Sequence, residues 1–119
     1  MEQKNILIIY DDNFILNVFS RILQKEGFSV DVAETGQEAF EELETKKYDL
    51  ALIDVKLPDI DGKDLVFKLK RYPDMKKIVI TGFPSIEDAT EIMDHGATAY
   101  LVKPVKTEEL IKLIKEKLE

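Results

Sequence analysis

The strongest constraint in this chain is an alternation. Short, almost unbroken apolar runs take turns with stretches whose apolar residues recur every three or four positions. The runs are residues 5–10 (NILIIY), 29–33 (SVDVA), 49–54 (DLALID), 77–81 (KIVIT) and 99–102 (AYLV). After the first, Ile15, Val18, Phe19, Ile22 and Leu23 form a helical stripe that stops at Gly27. Residues 36–47 turn Ala39, Phe40 and Leu43 inward, and residues 63–72 do so through Leu65, Val66 and Leu69. Residues 85–96 lie between a capping-box spacing, Ser85 to Asp88, and a C-terminal Gly96. Residues 107–118 open with Thr107 as N-cap and two glutamates where the helix dipole favours them. Five strands, each followed by a helix, call for right-handed crossovers and a parallel sheet. Strands apolar on both sides call for helices on both faces. The expected fold is α/β, a doubly wound five-stranded parallel sheet.

A chain of 119 residues is one domain of ordinary size, and a single domain over 1–119 is expected. With 24 acidic residues against 17 basic ones the net charge is −7, which repels a phosphate backbone and argues against direct nucleic-acid binding. No apolar run is long enough to cross a bilayer and no signal-peptide pattern opens the chain, so a cytoplasmic protein without a membrane partner is expected. The absence of cysteine excludes disulfides, thiol catalysis and cysteine zinc sites. The single histidine, His95, falls in the last turn of a predicted helix, where a cation suits the dipole.

Ligands of such sheets sit outside the carboxyl ends of the strands. There the first strand ends in Asp11 and Asp12, the third in Asp54, the fourth in Thr81, and the fifth in Lys103 followed by Pro104. The second strand ends without such a group and is the expected edge. Taken singly, Asp12 could be a helix N-cap, Thr81 a turn residue and Lys103 a solvated side chain. Taken together, three carboxylates repel unless a cation sits among them. Oxygen ligands without a histidine or cysteine cluster suit Mg²⁺. A carboxylate, a hard cation, a hydroxyl and a lysine are what formation of an aspartyl phosphate needs.

The ordered set LIIYDDN, DLALIDVKLPDIDG, IVITGF and GATAYLVKP resembles the response-regulator receiver domain of two-component signalling over essentially the whole chain. The resemblance implies a flavodoxin-like sheet with strand order 2-1-3-4-5. It implies that Asp54 is the phosphoacceptor, and that Asp11, Asp12 and the backbone carbonyl of Lys56 hold Mg²⁺, directly or through water. Thr81 and Lys103 would grip the phosphoryl group, and a cis peptide bond before Pro104 would aim Lys103. Tyr100 matches the aromatic switch that follows Thr81, although a half-buried strand aromatic accounts for it equally well. Lys56 and Phe83 stand at positions that tune phosphate lifetime, and there they imply slow autodephosphorylation. Gly82 departs from the alanine common after the hydroxyl residue.

The implied function is a switch that takes phosphate from a histidine kinase or a histidine phosphotransfer protein. It would dock a downstream protein through residues 84–118, or relay the phosphate. It would have no output domain and no enzymatic activity beyond its own phosphorylation and dephosphorylation. The alternatives are three. A Mg²⁺-dependent phosphatase with an aspartate nucleophile needs an Asp-x-Asp motif, and here the aspartates are adjacent. A flavodoxin-like FMN binder needs a phosphate loop where Asp11 and Asp12 would repel phosphate. A pseudo-receiver that only binds partners leaves the complete acceptor set unexplained.

Overall fold

The computed structural model describes residues 3–82 and 86–119. Five strands form one parallel sheet: β1 (Asn5–Ile9), β2 (Ser29–Ala33), β3 (Leu50–Asp54), β4 (Lys76–Thr81) and β5 (Ala99–Val102). Five helices connect and close them: α1 (Asn13–Lys25), α2 (Gly36–Thr45), α3 (Gly62–Lys68), α4 (Ile86–Asp94) and α5 (Thr107–Leu118). The strand order is β2-β1-β3-β4-β5, with β2 at an edge as its chemically plain end leads one to expect. The chain reverses direction across the sheet between β1 and β3, and that places a crevice at their carboxyl ends.

Strand side chains alternate between faces, and the two cores follow that alternation. Ile6, Ile8, Leu50, Leu52, Ile78 and Ile80 pack against Leu16, Phe19 and Leu23 of α1 and Leu110 and Ile114 of α5. Leu7, Ile9, Ala51, Ile53 and Val79 pack against α2, α3 and Ile92 of α4. Both faces of β3 are therefore dry, and all five of its residues are buried. In α1 the buried line is Leu16, Phe19 and Leu23, with Ile15 and Val18 on its flank. The stripe is thus centred one position from where periodicity alone puts it.

The helix ends follow local chemistry. Asp12 caps α1, accepting from the amides of Phe14 and Ile15 at 2.9 and 3.3 Å. Thr35 caps α2 and Asp61 caps α3. Gly27 and Gly96 take positive φ values of 97° and 109° just past α1 and α4, a conformation that costs glycine no Cβ clash. One expected cap differs. Thr107 is the first helical residue of α5, and Lys106 occupies the cap position, where its side chain, having no acceptor, makes no capping hydrogen bond. Ser85, the other expected cap residue, lies outside the described residues. His95 sits just beyond α4, edge-on to Phe67 at 5.4 Å.

Lys77 occupies a strand position that is only 4% exposed. Its ammonium donates to the carbonyls of Tyr72 and Met75 at 3.0 and 3.2 Å. Burial, reinforced by the charge of Lys76, lowers its pKa from 10.5. Below the lowered folded value the charged form is buried and its cost is fully present. Between that value and the unfolded one, the native state sheds the proton while the unfolded chain keeps it, so stability rises with pH. The urea midpoint of the wild type is expected to rise, relative to that of Lys77→Met, as the pH climbs toward the ordinary lysine value of 10.5 from below. Parallel pH dependence in the two proteins would refute this.

Candidate functional site

Parallel pairing brings the strand ends together. Ile9 pairs with Ile53, Asp54 with Ile80, and Thr81 with Val102. Asp11 and Asp12 therefore follow β1 directly beside the end of β3. Lys103, one residue past β5, donates its amide to the Thr81 carbonyl at 2.7 Å. The peptide bond between Lys103 and Pro104 is cis. Residues distant in sequence thus meet along one edge.

Asp54 is 4% exposed. The Lys103 ammonium donates to its Oδ1 at 3.1 Å, and the Lys56 amide approaches the same oxygen at 3.4 Å. Lys103 Nζ also lies 4.9 Å from the ring centroid of Tyr10. Burial works against the ammonium, but its hydrogen bonds with Tyr10 and Asp54, and their charges, outweigh that and hold the Lys103 pKa above the ordinary lysine value. Burial likewise raises the Tyr10 phenol above its usual range, against the lowering influence of Lys103. An ammonium held on a buried carboxylate is a fixed positive charge where a phosphoryl group would add negative charge.

Thr81 is 5% exposed at the end of β4. Tyr100 lies on the opposite sheet face from Tyr10, half-buried against the core formed with α2 and α3. Lys56 is exposed in the turn after β3. Phe83 lies outside the described residues. Among the residues predicted for the site, Asp54 and Lys103 are thus in direct contact, and the backbone of Lys103 is tied to Thr81.

The acidic pair behaves less uniformly than three clustered carboxylates would. Asp11 and Asp12 are exposed, and Asp12 Oδ1 is occupied with the first amides of α1. Among the described residues no three histidine, aspartate or glutamate side chains come close enough to hold a metal ion between them. The donors beside Asp54 are nonetheless all oxygens, a set that fits a hard cation keeping several waters and does not fit zinc.

The loop after β3 is held by residues that local patterning does not reveal. Asp59 accepts from the amides of Gly36 and Gln37 at 2.9 Å each, which pins the loop to the N-terminus of α2. The Gly36 hydrogen bond foremost, and then that of Gln37, hold its carboxyl below the ordinary range against the small cost of burial. At the far end of the loop Gly62 N–H donates to the Val55 carbonyl at 2.8 Å. Nothing within "KLPDIDG" points to the Asp59 contact, because its partners stand more than twenty residues upstream. Reading the strand ends also passes over Tyr10, although its place beside two aspartates is a usable signal.

The family model for the response regulator receiver domain matches residues 6–115. Transcriptional regulatory protein ZraR of Klebsiella oxytoca is 30% identical over 98% of this chain and 27% of its own length. Aerobic respiration control sensor protein ArcB of Escherichia coli (strain K12) is 36% identical over 94% of this chain and 15% of its own length. The chain thus spans about a quarter or less of these relatives. Among solved structures, a CheY-like response regulator receiver domain protein from Methanospirillum hungatei JF-1 superposes with a TM-score of 0.94 at 43% identity, covering 98% of this chain and 94% of that one. A two-component response regulator from Clostridium difficile gives 0.94 at 28% identity, covering 98% and 96%.

Proposed function

The chain belongs to the response regulator receiver family, and from that premise we propose that it is a phosphorylation-controlled switch with Asp54 as acceptor. The observation that carries this reading is the buried Asp54 carboxylate held by the Lys103 ammonium at 3.1 Å. The donor is a phosphohistidine of a kinase or phosphotransfer protein. The Asp54 oxygen forms a bond to phosphorus as the phosphorus–nitrogen bond breaks, and the imidazole leaves with the electron pair. Lys103 balances charge on the phosphoryl oxygens, and the Thr81 hydroxyl donates to one of them.

Asp11, Asp12, Asp54 and the Lys56 carbonyl would hold Mg²⁺, directly or through water. When bound, the ion neutralises developing charge on the phosphoryl group. Lys56 and Phe83, two residues after Asp54 and after Thr81 in the sequence, are the pair expected to slow attack of water on the phosphoryl group. Thr81 and Tyr100 stand on neighbouring strands, so that a shift of the hydroxyl toward phosphate can be passed to β5 and its flanking helices. That face is the proposed docking surface for a downstream protein. The named relatives include both a transcriptional regulatory protein and a sensor protein, so a receiver of this kind serves more than one setting.

The test is intact mass after incubation with acetyl phosphate and Mg²⁺. One added phosphoryl group is expected on the wild type, and none on Asp54→Ala or without Mg²⁺. An unmodified but folded wild type would overturn the assignment.

A further inference from the structure

The acceptor chemistry leaves Tyr10 unexplained. Ile9 pairs with Ile53, so one step further along β1 Tyr10 stands level with Asp54. Strand alternation turns both toward the face covered by α1 and α5, because Ile6, Ile8, Leu50 and Leu52 all lie in that core. The ring is 6% exposed and meets Phe19 of α1 edge-on, with centroids 6.0 Å apart and planes at 90°. Lys103 Nζ sits over this ring at 4.9 Å while donating to Asp54 at 3.1 Å. One ammonium therefore has two partners, on adjacent strands, of which only one reacts.

That difference matters during phosphoryl transfer. When Asp54 becomes an acyl phosphate, the negative charge that Lys103 faces moves from the carboxylate oxygen out to the phosphoryl oxygens. The face of the Tyr10 ring keeps its negative potential throughout. Phe19 buttresses the ring from α1, so the ring cannot turn aside without disturbing a packed core. We propose that Tyr10 is a positioning residue for phosphoryl transfer: its ring keeps Lys103 Nζ at the acceptor independently of the charge on Asp54. Tyr10 forms no bond and moves no proton in this step. The inference rests on Asp54 being the acceptor.

The test is a double-mutant cycle on the rate of adduct formation with acetyl phosphate and Mg²⁺. Tyr10→Phe keeps the ring but removes the phenol oxygen that also attracts Lys103, and it is expected to retain clearly more of the wild-type rate than a residue without a ring. Tyr10→Leu is expected to slow it about two- to five-fold, the worth of one cation–ring contact. In a Lys103→Met background Tyr10→Leu should change nothing further, whereas a merely structural role would slow both backgrounds alike. If leucine unfolds the chain, Tyr10→Met fills the same space flexibly without a ring. A second readout needs no phosphate: the Lys103 ε-methylene protons should show a ring-current shift in wild type and Tyr10→Phe, lost in Tyr10→Leu. An adduct forming equally fast on wild type and Tyr10→Leu, additive slowing in the cycle, or no ring-current shift overturns the role of Tyr10 alone. A wild type that forms no adduct overturns the acceptor reading and this inference with it.

Discussion

Gly62→Ala is expected to cost about 3 kcal/mol of folding stability, at the upper end of what overpacking usually does. A Cβ at this position would lie 2.5 Å from the Val55 Cα and 3.1 Å from the Val55 carbonyl oxygen. Those are backbone atoms, which cannot rotate out of the way as a side chain can. The Gly62 amide is also hydrogen-bonded to the Val55 carbonyl at 2.8 Å, so separating the two segments breaks that bond as well. The displaced segment is the one that carries Lys56, so metal-dependent phosphorylation should weaken along with stability. Gly82→Ala is the internal control. There, among the described residues, a Cβ would meet only Lys103 Cδ, at an ordinary contact distance of 3.5 Å, and stability should hardly change. Urea unfolding of the two variants separates the cases, and similar midpoints for both would refute the argument.

Lys103→Met is expected to slow phosphorylation by about 100-fold, the loss seen when one preorganised charge-stabilising donor is removed from a reacting centre. Methionine fills the space of the lysine stem, so packing beside Tyr10 and Pro104 is conserved. What disappears is the ammonium 3.1 Å from Asp54 Oδ1. The same change leaves a buried carboxylate without its nearest positive charge, so some stability is lost too. The Lys103 side chain is 33% exposed, and water screens part of that loss. The effect on phosphorylation should therefore exceed the effect on folding. The comparison is the rate of adduct formation against the urea midpoint of the same variant. A variant phosphorylated at close to the wild-type rate would remove Lys103 from the chemistry.

Much of this architecture is readable from residue order. Apolar runs such as ILIIY and LALID call for burial on two sides, and their alternation with helical stretches makes the sheet parallel with helices above and below. Asp12, Asp61 and Thr35 cap helices because short oxygen-bearing side chains satisfy first-turn amides wherever they stand. The features that depart from local expectation are those in which a neighbour competes. The buried line of α1 shifts to Leu16 because the sheet decides which side of the helix is inward. Thr107 stands one residue inside the helix instead of at its cap, the first helical bond running from Leu110 N–H to the Lys106 carbonyl.

Sequence by itself determined the strand count, the double coverage, and the placing of Asp11, Asp12, Asp54, Thr81 and Lys103 at strand ends. These follow from local propensity and from the two-residue period of a strand, which act over a few positions. Tertiary structure alone decided that Lys103 rests on both Asp54 and Tyr10, and that Asp59 pins the acceptor loop to α2. It also decided that Lys77 is buried on the carbonyls of Tyr72 and Met75. Each of these depends on atoms from two or more elements reaching a common point. A strand's period says which face a side chain takes, but the partner it meets there is set by register and by packing between elements.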